Sequence, residues 1–186
     1  MLGFVPCEGE NTRATLGQAA MSDPQHSDTE DPAVPRKLVC FFLHGQELGA
    51  DIDDVKETMV VRPITRVFLT PSWVCGIINL RGDVVAVLDL AQLLGLPPTV
   101  VTDSSRIVVV QHGGRSAGVL VDGLAEVRTL DDSQLEPPPV TLSPESGGLL
   151  RGVITVEDGK PLQVLDLKKL FESDRLRAFR REAREA

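Results

Sequence analysis

Residues 76–90 read GIINLRGDVVAVLDL and residues 152–167 read GVITVEDGKPLQVLDL. Each is a pair of β-branched, apolar runs around a short polar segment holding a glycine, which is the pattern of a hairpin. Each ends in Val-Leu-Asp-Leu, at 87–90 and at 164–167, ahead of a short helix-like segment, AQLLG or KKLF. Upstream, LVCFFL, the turn His44-Gly45-Gln46 and LGADIDDV form another hairpin, repeated as RIVVVQ, HGGR and SAGVLVDGLAEV. Gly76 and Gly152 are 76 residues apart, Asp89 and Asp166 77, and His44 and His112 68, the mismatch falling in the long proline-rich EPPPVTLSPESGG. The chain is an internal duplication.

Four or five short strands per copy are few for an open sheet but enough to curl into a small barrel that hides its edges. The expected fold is therefore all-β: two similar small five-stranded barrels, residues 36–100 and 101–171, with short connecting helices. Residues 172–186 read as a C-terminal helical tail; in the stretch LKKLFESDRLRAFRREAREA that contains it, Leu170, Phe171 and Phe179 share a stripe. Residues 1–35, rich in Ser, Thr, Asp, Gln, Gly and Pro without apolar periodicity, read as a disordered acidic tail.

Composition narrows the function. A net charge of −8 disfavours a non-specific nucleic-acid or anionic-membrane surface, both of which reward Lys and Arg. One Trp, six Phe and no Tyr make a poor base-stacking platform. The odd cysteine count, Cys7, Cys40 and Cys75 without a C-x-x-C pair, signals neither a disulfide framework nor a zinc knuckle. The N-terminus has no basic flank followed by an apolar stretch, and no apolar run of about 18 residues occurs. The chain is expected to be cytoplasmic and to work through protein partners.

Chemistry-bearing motifs are few. His44 and His112 fall in turns, and neither sits in a metal-ligand or nucleophile motif. A hydrolase using His112 with a carboxylate is the enzymatic alternative. The acidic run Asp51, Asp53, Asp54 fails as a calcium loop, because Lys56 stands where the glycine belongs and Arg62 where the bidentate acid belongs. Phosphate-cradling, nucleophile-elbow and zinc-hydrolase motifs are missing from the sequence. Asp89 and Asp166 read as N-caps of the short helices that follow, and Cys40 and Cys75 as buried thiols. The tripeptide Arg81-Gly82-Asp83 is too short to signal cell adhesion. No catalytic, cofactor-binding or metal residue is assigned. Arg81, set between Gly76 and Gly82, is either a solvated turn charge or a pre-positioned bidentate donor.

The stretch GIINLRGDVVAVLDLAQLLGL, with VKE at 55–57, ITR at 64–66 and TPSWV before it and GVIT and VLDLKKLF after it, resembles the CheW family of chemotaxis coupling proteins over residues 37–171. The resemblance implies two Src-homology-3-like barrels and an adaptor, not an enzyme. Such proteins bridge methyl-accepting chemotaxis receptors to the regulatory domain of a CheA-type histidine kinase, in arrays at the membrane or free of it. The receptor hairpin docks between the barrels, and the kinase at one barrel face. Val55, Glu57, Gly76 and Arg81 match family positions implicated in these contacts, and Asn79 and Leu80 complete the turn that carries Arg81. A regulator that binds only the kinase or only the receptor is the alternative. The chain departs from the family at Ala86, where proline is usual, and in its two tails.

Overall fold

The runs LVCFFL and RIVVVQ carry apolar residues at successive positions, which a strand tolerates only when both of its faces are buried. In the computed structural model, which describes residues 35–139, 147–156 and 159–185, RIVVVQ is buried at four successive positions, whereas LVCFFL buries Leu38, Cys40, Phe41 and Leu43 and leaves Phe42 exposed. The strands are β1 (Arg36–Leu43), β2 (Gln46–Asp51), β3 (Val55–Val60), β4 (Val74–Leu80), β5 (Asp83–Asp89), β6 (Arg106–His112), β7 (Arg115–Val121), β8 (Gly123–Leu130), β9 (Leu150–Thr155) and β10 (Pro161–Leu165). Helices α1 (Leu90–Leu93), α2 (Leu167–Glu172) and α3 (Asp174–Glu185) follow the second hairpin of each copy, and short 3-10 turns span Ile52–Asp54 and Asp132–Gln134.

Two five-stranded sheets result, ordered β8-β1-β2-β10-β9 and β3-β6-β7-β5-β4. Five strands in each of two similar units agree with the reading of the sequence, but the membership differs: a boundary at 100/101 does not separate the sheets. Each sheet takes the first hairpin of one copy and the last three strands of the other. After β2, Asp51 accepts the backbone N–H of Asp53 at 3.2 Å and caps a 3-10 turn at which the chain leaves its own sheet; the second copy makes the equivalent move from β7 to β8 through Asp122 alone. β3 then pairs with β6 instead of β1.

Three apolar clusters fill the structure. Leu38, Cys40, Leu130, Ile154, Leu162 and Val164 fill the first sheet's interior, and Ile78, Leu80, Val85, Val87, Ile107, Val109 and Leu120 that of the second. The largest lies between the sheets and joins Phe41, Leu43 and Leu48 to Val108, Val110, Val119, α1 and α2. Alternate residues of β6 thus serve two cores, Ile107 and Val109 one, Val108 and Val110 the other. β3, at an edge, alternates between half-buried and exposed residues and reads as an ordinary amphipathic strand.

Asp89 and Asp166 cap α1 and α2 as expected. Two expectations change. His112 is the last residue of β6, paired with Arg115 across a Gly113-Gly114 turn; its counterpart is Leu43, paired with Gln46 across His44-Gly45. The C-terminal helix is two helices, because Ser173 adopts an extended ψ of 145° and interrupts it. Leu176 is buried, and Phe179 meets Trp73 edge-on at 5.6 Å. The tail expected over 1–35, apart from Pro35, lies outside the described residues, as do the centre of the proline-rich loop and part of the EDGK turn.

Candidate partner-binding face

Leu80 and Asp83 form the last pair of the β4–β5 hairpin, so the loop between them has two residues, Arg81 and Gly82. Their φ angles, 54° and 98°, are both positive, as the tightest hairpin turns require. Glycine adopts that backbone freely; for arginine it costs about 1 kcal/mol or more. Asn79 holds the turn, its side-chain oxygen accepting the N–H of Gly82 at 3.0 Å. The geometry thrusts the Arg81 side chain into solvent, where it is 79% exposed.

Its partner is Glu57, whose Oε2 lies 3.0 Å from Arg81 Nη2. Glu57 is on β3 and Arg81 follows β4, the two edge strands of the second sheet. They meet only because the sheet rolls up. The roll is completed by Thr65 and Ile77, which exchange two backbone hydrogen bonds of 2.9 Å between the chain leaving β3 and β4.

Gly76 makes that closure possible. It lies next to a register shift in β4, with φ 143°, and an added Cβ would sit 2.3 Å from the carbonyl oxygen of Thr65 and 2.7 Å from Ile64 Cγ2. Gly152 does the same work in the other sheet, where a Cβ would approach the carbonyl oxygen of Glu136 to 2.4 Å beside the Glu136–Val153 bridge. The duplication therefore repeats a closure device as well as a strand order.

The six residues singled out in the sequence divide in two. Val55, Glu57, Asn79 and Arg81 reach the surface around the rolled edge, Val55 half-buried against the central core. Gly76 and Leu80 are buried, Leu80 inside the barrel at 6% exposure, so they shape the face without forming its surface. Ile64 and Thr65, which fall in the ITR segment of the family resemblance, are the cushion against Gly76, a role the sequence did not assign them; nor did it show the link from His112 Nδ1 to Asp54 Oδ1 at 3.1 Å, which fixes the turn leading into Val55. The traces in the sequence are a glycine within a strand run and the ITR segment at 64–66.

Other polar groups are committed to structure. The Asp89 carboxylate, 3% exposed, accepts from the N–H groups of Ala91 (3.1 Å), Gln92 (3.4 Å) and Thr99 (3.0 Å), from Gln92 Nε2 (2.9 Å) and from Thr99 Oγ1 (2.9 Å). Asp166 accepts the Lys169 N–H at 2.9 Å. Burial pushes the Cys40 and Cys75 thiols up to about 11, far from the thiolate needed for nucleophilic chemistry. Among the described residues no Ser, Thr or Cys hydrogen-bonds the His112 ring, and no group of three or more His, Cys, Asp or Glu could hold a metal ion. No helix among them is long and apolar enough to cross a membrane.

A face built from an exposed guanidinium on a strained turn is equipped for recognition, and relatives point the same way. The family model for the CheW-like domain matches residues 37–175. The chain is 32% identical over 139 residues to the chemotaxis protein CheW of Rhizobium meliloti, covering 75% of this chain and 89% of that protein. It is also 32% identical over 136 residues to the probable chemotaxis protein CheW of Rhizobium etli, covering 73% and 87%. The crystal structure of the scaffolding protein TtCheW from Thermoanaerobacter tengcongensis superposes with a TM-score of 0.68 at 35% identity, over 76% of this chain and 95% of that one. The chain belongs to the CheW family of chemotaxis scaffold proteins.

Proposed function

We propose that this protein couples chemoreceptors to a CheA-type histidine kinase in the cytoplasm, working by surface recognition without turnover. Methyl-accepting receptors and the kinase regulatory domain are its partners, and Val55, Glu57, Asn79 and Arg81 form the face that meets them. The observation that carries this reading is the Glu57–Arg81 contact across the rolled edge, in a chain of the CheW family. Only Nη2 of the guanidinium contacts Glu57 in this pair, so most of the fork can meet a partner carboxylate in a way a lysine could not copy.

Glu57 and Arg81 are joined, so a partner that takes one alters the other. Receptor binding and kinase binding on this reading are not independent. A pull-down of the tagged chain from its own cell lysate, beside an Arg81→Asn version, tests it. Asparagine tolerates the left-handed backbone, so the turn survives while the guanidinium is lost. Recovery of a multidomain histidine kinase and long helical receptors, with at least one reduced in the variant, is the expected result. Recovery of one class only would favour the regulator that binds a single partner.

A further inference from the structure

Helix α3 follows α2 in the second copy, yet what it grips belongs to the first. Leu176 is buried in the central core, and Phe179 packs against that core and meets the Trp73 ring edge-on at 5.6 Å. The Arg175 guanidinium donates to the carbonyl oxygens of Gln92 and Leu93 at 3.2 and 3.4 Å, at the C-terminal end of α1, where a cation is favoured. Trp73 roots the hairpin that carries Arg81. It precedes β4, its carbonyl oxygen accepts the N–H of Asp89 at the end of β5 at 2.8 Å, and β4 runs from it through Gly76 to the turn.

The attachment of α3 is light. A helix of 12 residues is marginal in water by itself, so α3 is helical because it is docked. Among its described side chains Leu176 alone is buried and Phe179 is half-buried, and beyond Phe179 the sequence RREARE holds no large apolar residue. Helix α2 is closed without α3, because the N–H and the hydroxyl of Ser173 both donate to the Leu170 carbonyl oxygen, at 3.2 and 2.7 Å. The matched CheW-like domain ends at residue 175, short of both anchors.

We infer that α3 is a strap from the second copy onto the first, which undocks as a unit while the two sheets stay folded, and which when docked braces Trp73 and with it the hairpin that presents Arg81. Leaving the Trp73 ring and losing the helix are one event, because the undocked segment is too short to hold its turns. Undocking uncovers Trp73, 9% exposed beneath the strap, and removes the ring it packs against. The effect on partners rests on the function proposed above; the undocking does not.

Native-state hydrogen exchange on the full chain, repeated in dilute urea, tests both parts. The amides of Arg177, Ala178 and Phe179 are expected to exchange at least about tenfold faster than those of β6 and with little urea dependence, the mark of a small opening. Equal rates, or the urea dependence of β6, would overturn the strap. Phe179→Ala is expected to shift the emission of Trp73, the only tryptophan, to the red, while urea unfolding stays cooperative. In this variant the amides of Asp89, Thr65 and Ile77, whose bonds hold β4 in place, exchange about threefold faster or more through an equally small opening, and Phe179→Tyr keeps the parental rates. No acceleration, or acceleration only with the urea dependence of β6, would contradict the bracing. If the pull-down recovers neither kinase nor receptors, the proposed function fails and these exchange rates still decide the strap.

Discussion

Arg81 and Glu57 stand on opposite edges of one five-stranded sheet and meet at 3.0 Å. The contact is a measure of how tightly the sheet is rolled, and it joins the two charges of the proposed partner face. With Arg81 79% exposed, the pair adds little to stability. Arg81→Asn and Glu57→Gln are expected to change the unfolding free energy by no more than about 1 kcal/mol each, with a coupling below about 1 kcal/mol. Urea denaturation of the four members of the cycle measures it. Loss of partner binding in a variant of unchanged stability then belongs to recognition.

Gly76 behaves in the opposite way. A methyl group would strike the Thr65 carbonyl oxygen, part of the backbone bridge that closes the barrel, at a φ that side chains rarely adopt. Gly76→Ala is expected to cost about 2 kcal/mol or more. Gly82→Ala, in open space but at φ 98°, should cost less, on the order of 1 kcal/mol. Unfolding midpoints of the two variants give the order, and a Gly76→Ala protein as stable as the parent would refute the closure role.

The two capping aspartates separate as well. Asp166→Ala removes a cap and is expected to cost about 1 kcal/mol. Asp89→Ala orphans the Thr99 and Gln92 donors in a nearly closed site, and about 3 kcal/mol is expected. Calorimetric melting temperatures of the two variants check the difference.

Burial raises the Cys40 thiol to about 11 from an ordinary 9.0. Below pH 9 the thiol is protonated in both folded and unfolded chains and has no effect. Between pH 9 and about 11 the unfolded chain releases its proton while the folded chain keeps it, so stability falls as pH rises, by roughly 2–3 kcal/mol in all. Cys40→Ala should lose that part of the decline, read as the difference between the stability curves of variant and parent from pH 8 to 11.

Much of this fold was legible locally. The hairpins, the places of their turns, the aspartate caps and the duplication all rest on neighbours in sequence. The exchange of strands between sheets was not, because periodicity tells which face of a strand is buried and not which strand lies beside it. β6 shows the difference: its continuous apolar run announces burial on both faces, yet nothing in that run tells that its neighbour is β3 of the other copy. The Arg81–Glu57 contact was hidden for the same reason. Leu80 alternates inward by the period of two and belongs to the barrel interior, a fact its place in the turn motif obscured.

The coupling claim is tested most directly by reconstitution. Receptor-bearing membranes, a CheA-type kinase and increasing amounts of this chain are combined, and kinase autophosphorylation is followed. The account predicts a rate that rises with the chain, becomes sensitive to receptor ligand, and falls again at excess as kinase and receptor are capped separately, with Arg81→Asn giving little or no rise. A kinase rate indifferent to the chain, or identical curves for the parent and the equally stable Arg81→Asn protein, would contradict it.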